Sequence, residues 1–216
     1  MSTVRYILDN WGTLGPQVET HVEIVAIAMA IAVAVGLGLG IGSARSARVA
    51  AVSLAVTSTL LTVPSFALFG LLSIWVGLED PPVIIGLVLY ALLPVVRGTL
   101  TGIRAVDPAV IEAARGMGMG GAQRLLRVEL PLAVPVILGG IRQATVMVVA
   151  IATVGAVVGA NDLGQPIFSA LYRSTATTPR ILAGVIPVAA IGLLADGILS
   201  LVQRRLARGR VAVGAT

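Results

Sequence analysis

Five long apolar stretches constrain what this chain can fold into. The stretch at 24–42 contains no charged residue, and about 20 apolar residues are enough to cross roughly 30 Å of hydrocarbon as a helix. The other four lie at 49–78, 81–102, 130–161 and 181–202. Charged residues make up 12% of the chain, against about 25% in a typical soluble domain. We therefore expect an all-α, polytopic membrane protein.

The stretches predict a single transmembrane domain over residues 1–216 with five spans. The spans are expected at about 22–43, 49–78, 81–104, 131–160 and 181–203, with a loop at about 105–130 between the third and the fourth. Pro64 interrupts the second stretch, which is either one bent helix or a helix with a partial re-entry, so six spans stay open. The first stretch is too long for the apolar region of a signal peptide and follows acidic Glu19 and Glu23, so we expect it to stay in the membrane.

The arginines predict the orientation of these spans. With five spans and an outer N-terminus, eleven arginines fall in inner segments and three in outer segments, and Arg142 is left inside a span. The inner set is Arg45, Arg48, Arg97, Arg104, Arg115, Arg124, Arg127, Arg204, Arg205, Arg208 and Arg210; the outer set is Arg5, Arg173 and Arg180. Because inner loops of membrane proteins are rich in basic residues, we expect an outer N-terminus and an inner C-terminus.

The residue types exclude several chemistries. The chain has no cysteine, no lysine and a single histidine, His21, which excludes thiolate catalysis, a P-loop lysine and a histidine metal cluster. No cofactor or metal site is expected on this chain, and it is not expected to be an enzyme. If ATP drives this protein, another chain must bind it.

The loop at 105–130 is expected to form a rigid elbow of two short helices. Asp107 suits an N-cap and Pro108 the first helical position. Four glycines, Gly116, Gly118, Gly120 and Gly121, should break the run. A second short helix is predicted at about 122–129, with Pro131 starting the next span. Such an elbow could dock into a groove of a partner.

This elbow resembles a known family. Glu112-Ala113-Ala114, then Gly118, then Val128, Leu130 and Pro131 resemble the EAA motif of bacterial ABC importer permeases. The strings at 62–70, 91–97, 106–119, 128–135 and 139–146 resemble the permeases of osmoprotectant importers, which take up glycine betaine, choline, carnitine or proline. One stretch departs from that pattern: Gly-Ala-Asn-Asp-Leu-Gly stands at 159–164, where the family commonly has Gly-Ala-Gly-Gly-Leu-Gly.

The resemblance implies a fold, a location and partners. The fold is that of MetI-like permeases in the inner (cytoplasmic) membrane. The partners are a second permease subunit (a second copy or a sister chain), an ATPase subunit that binds ATP and magnesium, and an extracytoplasmic substrate-binding protein. The implied ATPase-coupling residues are Glu112, Ala113, Ala114, Arg115, Gly116, Gly118, Arg124, Leu130 and Pro131. In this scheme the elbow transmits ATP-driven closure of the ATPase to the spans.

Several residues outside the elbow have a functional and a structural interpretation. Arg142 and Asp196 lie inside spans, where charges are costly, and we expect them to pair. Pro64, Ser65 and Pro94 suggest either a gate or hinge or static kinks. Alternate glycines at 36–42 suggest a packing face, and Trp75 an interfacial anchor rather than a cation–π site. His21 is expected to be solvated before the first span.

Alternatives remain at this point. An ABC importer of another small polar solute, such as an amino acid, would keep the elbow and change the other strings. An ion-coupled secondary transporter would need polar groups at the bilayer midplane and usually inverted repeats, and neither is evident. A membrane-embedded enzyme would need a catalytic cluster inside the spans. The arginines are too dispersed for nucleic-acid binding.

Overall fold

The computed structural model describes residues 2–172 and 178–211, with side chains as far as Leu206. Arg173 lies outside the described residues, as do the side chains of Arg208 and Arg210. The described helices are α1 (Thr3–Asp9), α2 (Trp11–Ser43), α3 (Ala47–Thr62), α4 (Ser65–Val76), α5 (Asp80–Arg104), α6 (Pro108–Gly116), α7 (Gly121–Arg124), α8 (Leu130–Ala152), α9 (Gly164–Tyr172) and α10 (Thr178–Val211). A π-helical stretch, Leu125–Glu129, joins α7 to α8, and a 3₁₀ segment, Thr153–Val158, follows α8.

Four helical segments of the described chain are long and apolar enough to cross a membrane alone. They are Trp11–Ser43, Asp80–Arg104, Gly121–Val158 and Thr178–Leu206. Helices α3 and α4 pass the same test only together, and they are bent by 96° at the break between them. The break falls at Pro64, which has an extended backbone and is the N-cap of α4. The expectation of an all-α, polytopic bundle is confirmed.

Contacts at the two ends of the bundle show the direction in which the bent pair, α3 and α4, runs through it. At one end, the backbone N–H of Glu79 donates to the carbonyl of Val158 over 2.9 Å, and His21 faces Asp162, so α2 and α5 start where α8 ends. At the other end, Arg45 donates to the carbonyl of Gly121 over 2.8 Å. Since α2 and α5 run in the same direction, α3 and α4 together must bring the chain back. Counted with α3 and α4 as one bent span, the described helices give five candidate membrane spans.

We call the end that carries α6 and α7 the elbow end, and the end that carries Glu79, Val158 and Asp162 the far end. The first candidate span, α2, begins at Trp11 rather than near residue 22, so Glu19, His21 and Glu23 all lie within it. The expectation that His21 is solvated before the first span is wrong, because His21 is fully buried where α2 packs against the far end of α8, whereas Glu19 and Glu23 are exposed.

The second short helix expected in the elbow is not a separate element. Residues 121–158 form one continuous helical rod, and its π-helical stretch ends with the N–H of Leu130 donating to the carbonyl of Leu125. Pro131 follows directly and has no N–H to donate. The wider turn therefore accommodates Pro131 inside a continuous rod, where it was expected to start a separate span.

Helix α5 lies at the centre of the core because glycines of its neighbours let backbones approach closely. A Cβ at Gly36 would lie 2.6 Å from Cγ1 of Val95, and one at Gly40 would lie 2.5 Å from Cβ of Thr99. The alternate glycines Gly38 and Gly42 face open space. Only half of the predicted glycine face therefore packs, since residues two apart lie on different sides of a helix.

Candidate functional site

The elbow begins at a capped helix start. Asp107 caps α6, accepting a hydrogen bond from the N–H of Ala109 over 2.8 Å, and Pro108 occupies the first helical position, where a missing N–H is not needed. Both features are as predicted from the sequence. They fix the point at which α6 leaves the end of α5.

The elbow helix α6 is terminated by Gly118, two residues after its last residue, and Gly118 has φ +77°. The N–H of Gly118 donates to the carbonyl of Arg115 over 2.9 Å, and that of Met119 donates to the carbonyl of Ala114 over 3.1 Å. Backbone bonds of this kind around a left-handed residue form a Schellman-type stop, which glycine adopts without steric cost. Gly116, in contrast, is an ordinary helical residue with open space around it.

The two alanines of the motif have opposite environments. Ala114 is buried, with 1% of its surface exposed, whereas Ala113 and Glu112 are exposed. Large apolar side chains of the elbow are exposed as well: Met117 at 70% and Leu126 at 64%. Within the elbow, α6 packs against α7 and the π-helical stretch with Ala114 as its buried residue, and the elbow presents an apolar and charged surface outward.

The charged side chains of the elbow pair with one another. Arg115 donates to Glu112 over 2.9 Å on the exposed side of α6. Arg124 donates to Glu129 over 2.7 Å, and both side chains of this pair are largely buried. Arg124 therefore braces the start of α8 rather than facing outward, whereas Arg127 is exposed.

Leu130 and Pro131 lie at the base of the elbow and are half-buried. Leu130 packs against the small apolar cluster of Ile103, Ala133 and Ile137, where the end of α5 meets α8. These two residues therefore connect the elbow to the bundle and do not form its outer surface.

Arg142 and Asp196 lie together on α8 and α10. Nη2 of Arg142 donates to Oδ2 of Asp196 over 2.7 Å, and Nε donates to Oδ1. About a third of each side chain is exposed: 38% for Arg142 and 31% for Asp196. Such a bidentate pair satisfies both charges inside a span.

The chain next to the hinge candidate Pro64 makes a hydrogen bond to another helix that could not be predicted from the sequence. Val63 precedes Pro64, and its carbonyl accepts a hydrogen bond from the hydroxyl of Tyr90 over 2.8 Å. Tyr90 is buried on α5, so it ties the break between α3 and α4 to the core. Ser65 is the first residue of α4, and α5 continues through Pro94 without a break. The hinge role of these residues stays a prediction.

A second polar cluster, at the far end, was missed. His21 and Asp162 are fully buried and face each other, with 3.8 Å between Nδ1 and Oδ2. Trp75, by comparison, is 81% exposed near the end of α4, as an interfacial anchor would be. Among the described residues, no group of three or more His, Cys, Asp or Glu side chains could hold a metal ion.

The described helices thus form a polytopic membrane domain with a capped elbow exposed at one end. Residues 25–208 match the family described as the binding-protein-dependent transport system inner membrane component. The chain belongs to this family, and it is a multi-pass inner-membrane transport component.

Relatives and solved structures agree with this assignment. The chain is 37% identical over 210 residues to the carnitine transport permease protein OpuCD of Listeria monocytogenes, covering 95% of this chain and 94% of that one. It is 40% identical over 163 residues to the glycine betaine/carnitine/choline transport system permease protein OpuCD of Bacillus subtilis, covering 76% and 71%. Its fold is similar to that of the MetNI methionine ABC transporter in an inward-facing conformation, with a TM-score of 0.79, 19% identity and coverage of 91% and 97%.

Proposed function

We propose that this chain is the permease subunit of an ATP-binding cassette importer that brings osmoprotectants, such as glycine betaine, carnitine or choline, into the cytoplasm. ATP and magnesium are bound by a separate ATPase subunit, a second permease subunit completes the pathway, and an extracytoplasmic protein delivers the solute. The observation that carries the proposal is the elbow, whose exposed face lies at one end of a bundle from this family.

The charge distribution supports placing the elbow end in the cytoplasm. Arg45, Arg104 and Arg115 belong to the elbow end, whereas Glu79, Asp80 and Asp162 belong to the far end. Basic residues remain on the inner side during insertion. An ATPase in the cytoplasm would then meet the exposed face of α6.

The contacts of the elbow suggest how it would transmit motion. α6, whose buried residue is Ala114, packs against α7 and the π-helical stretch, and the Arg124–Glu129 pair stiffens the rod that continues from there into α8. Arg45 ties the end of α2 to Gly121 at the start of that rod. Movement of α6 would therefore reach both α2 and α8.

The substrate class rests on the relatives. The two permeases described above, which match most of this chain, have carnitine, or glycine betaine, carnitine and choline, in their names. The fold alone does not choose a solute, because the methionine transporter shares it.

The test is to express the chain with its genomic neighbours, purify the complex and reconstitute it into vesicles with its binding protein. We expect an ATPase to co-purify and labelled glycine betaine to enter the vesicles only with ATP. Glu112→Lys should abolish uptake by reversing a charge on the exposed face of α6. Asp9→Lys is the matched control, because Asp9 is also an exposed carboxylate that pairs with an arginine of its own helix, Arg5.

The outcomes separate the parts of the proposal. ATP-driven uptake that is lost in Glu112→Lys and kept in Asp9→Lys supports the whole of it. An intact complex that hydrolyses ATP but takes up another solute, such as an amino acid, contradicts the substrate class alone. Uptake driven by an ion gradient without an ATPase would contradict the mechanism.

A further inference from the structure

A polar cavity of about 330 Å³ lies at the far end of the bundle. Its walls come from α1, the start of α2, α9 and the start of α10, and its volume is within the range of small-molecule sites, about 300–1,000 Å³. Most of the described residues that line it are polar, and Arg180 is the charged one among them. The cavity therefore suits a polar ligand that has a negative group.

Two of the lining residues have buried atoms that need a partner. Nε of Arg180 and Oε1 of Gln17 are buried, and neither has a hydrogen-bond partner among the described residues. Gln17 as a whole is only 6% exposed. Because Nε can only donate and Oε1 can only accept, and because buried polar atoms without a partner are costly, a ligand that satisfies both must itself accept and donate.

The amides that line the cavity leave their oxygens for a ligand. Nδ2 of Asn10 donates to the carbonyl of Tyr6 over 2.8 Å, and Nε2 of Gln165 donates to the carbonyl of Ala160 over 3.0 Å. Since each amide turns its nitrogen to the backbone, its oxygen, like that of Gln17, remains available to accept. A protonated primary amine has three N–H groups and can donate to three such oxygens. The cavity therefore combines one strong donor with several acceptors.

The sequence around the cavity places it near the lipid headgroups. Arg180 comes directly before the uncharged stretch 181–195 of α10, and the uncharged stretch of α2 begins at Ile24. Gln17 precedes Ile24 by seven residues, which is about 10 Å along an α-helix. The headgroup layer on each side of the hydrocarbon is about 5–8 Å thick. A ligand between Arg180 and Gln17 would therefore lie in this layer or next to it.

The outer side of α1 is consistent with this depth. Val4 and Leu8, one turn apart, are 67% and 69% exposed, and Trp11 at the start of α2 is 56% exposed, whereas Tyr6 lines the cavity. Exposed apolar side chains on one side of a helix, followed by a tryptophan, are typical of a segment that lies in the membrane interface. The cavity is thus covered by a helix whose other side suits contact with lipid.

We propose that this cavity binds the headgroup of a phospholipid with a primary amine, as in phosphatidylethanolamine. The guanidinium of Arg180 donates to the phosphate as a charge-assisted pair, and the ammonium donates to the amide oxygens of Asn10, Gln17 and Gln165. A choline headgroup has the same phosphate but no N–H, so it would leave these oxygens without a donor, and sites built for a hydrogen bond reject such analogues. The site does not depend on which solute the protein transports.

The test compares two lipids that differ only in the amine. The full chain is purified in detergent, stripped of lipid and titrated with phosphatidylethanolamine or phosphatidylcholine that have identical acyl chains, and bound lipid is counted by native mass spectrometry. We expect phosphatidylethanolamine to bind at least about tenfold more tightly, because phosphatidylcholine leaves a buried acceptor unsatisfied. Equal binding of the two lipids would overturn the proposal.

Two variants assign the preference to this cavity. Arg180→Gln removes the partner of the phosphate and should weaken the binding of both lipids by about tenfold or more. Arg5→Gln is the matched control, because Arg5 is an exposed arginine of α1 that pairs with Asp9 and does not line the cavity; it should bind like the wild type. Gln17→Met removes the buried amide with little change in size, so it should reduce the preference for phosphatidylethanolamine. If Arg180→Gln does not fold, the comparison of the wild type with Gln17→Met still decides.

Glycine is the last probe, because it has a negative group and a protonated amine in a soluble molecule. Glycine binding that is lost in Arg180→Gln, together with lipid binding that is unchanged in this variant, would assign the cavity to a soluble amino acid and overturn the lipid site. Binding of neither probe in a way that depends on Arg180 would mean that water fills the cavity, and it would overturn the proposal as well. Lipid binding that follows the expected order supports it.

Discussion

The elbow end and the far end of this protein are held by polar contacts of different range. At the elbow end, Arg115 pairs with a residue three positions away and Arg124 with one five positions away. At the far end, His21 binds a carbonyl 128 positions away, and Gln17 contacts an amide 144 positions away. The ion pairs of the elbow are therefore set by a local motif, with one long-range bond from Arg45 to Gly121 beside them, whereas the contacts of the far end arise only when distant helices pack.

The two ends also differ in what their polar groups face. Arg115 and Glu112 are more than half exposed, and exposed pairs of this kind contribute little to stability. His21 and Asp162 are fully buried, where an unsatisfied group is costly. The elbow end is thus suited to binding a partner, whereas the far end is suited to holding helices together.

Among the substitutions considered, the largest loss of folded protein and of uptake is expected at the Arg142–Asp196 pair, which lies between the two ends. Asp196→Ala would leave the guanidinium of Arg142 inside a span without its bidentate partner, and unpaired charges there are expensive. We expect the amount of folded protein, measured by size-exclusion chromatography in detergent, to fall severely and uptake to fall to background.

The double variant Arg142→Asp with Asp196→Arg tests whether the loss of folded protein and of uptake comes from the loss of the ion pair. It keeps one charge of each sign at the same two positions, so folded protein and uptake should recover relative to Asp196→Ala and to Arg142→Asp alone. If the double variant is as defective as the single ones, the pair does not brace α8 against α10.

A smaller loss of stability is expected from a substitution where α5 crosses α8. These two helices connect the elbow end to the far end. A Cβ at Gly140 would lie 2.5 Å from the carbonyl oxygen of Pro94 and 3.0 Å from Cα of Gly98, so Gly140→Ala must push backbones apart. We expect it to lower the free energy of unfolding by about 1–3 kcal/mol, measured by denaturation in detergent.

Gly139→Ala is the control for this crossing, because a Cβ there would meet only the end of the Gln203 side chain, 3.6 Å away. It should be neutral or slightly stabilising, since alanine favours the helix over glycine. If the free energy of unfolding fell equally in the two variants, the loss would come from a change in helix propensity and not from the close approach of α5 and α8.

Much of the fold could be predicted because the signals are local. Uncharged apolar stretches predict spans, Asp107-Pro108 predicts a helix start, and Gly118 predicts where that helix ends. The break at Pro64 was also predictable, because proline lacks an N–H. The hydroxyl of Tyr90 that satisfies the carbonyl of Val63 was not, since it comes from another helix.

The far end shows why the remaining contacts of the fold and of the polar cluster could not be predicted from the sequence. His21 precedes the apolar stretch, so it was expected in solvent, but α2 begins ten residues earlier, at Trp11, and buries it. One signal was present: Asn161 and Asp162 replace two expected glycines, and polar side chains in a packed turn need partners. Gln17 and His21, one helical turn apart, were the partners, but no spacing rule connects the two pairs.

The smallest effect on stability, with a large effect on function, is expected at Gly118. Gly118→Ala places a Cβ in a left-handed conformation, which costs about 1–2 kcal/mol, but the strain falls on the elbow and not on the core. We expect the unfolding of the bundle to change by no more than this amount, and ATP-driven uptake to fall much further, because α6 would end in the wrong place. Gly118→Asn should be intermediate, since asparagine tolerates this conformation better than alanine.

Gly116→Ala is the matched control for the elbow, because Gly116 lies two residues earlier, has a helical backbone and faces open space. It should leave uptake unchanged. If Gly116→Ala and Gly118→Ala impair uptake equally, the exposed surface of the elbow and not its backbone turn is what matters. If neither does, the elbow end is as tolerant as an ordinary loop, and the contrast between the two ends lies in stability alone.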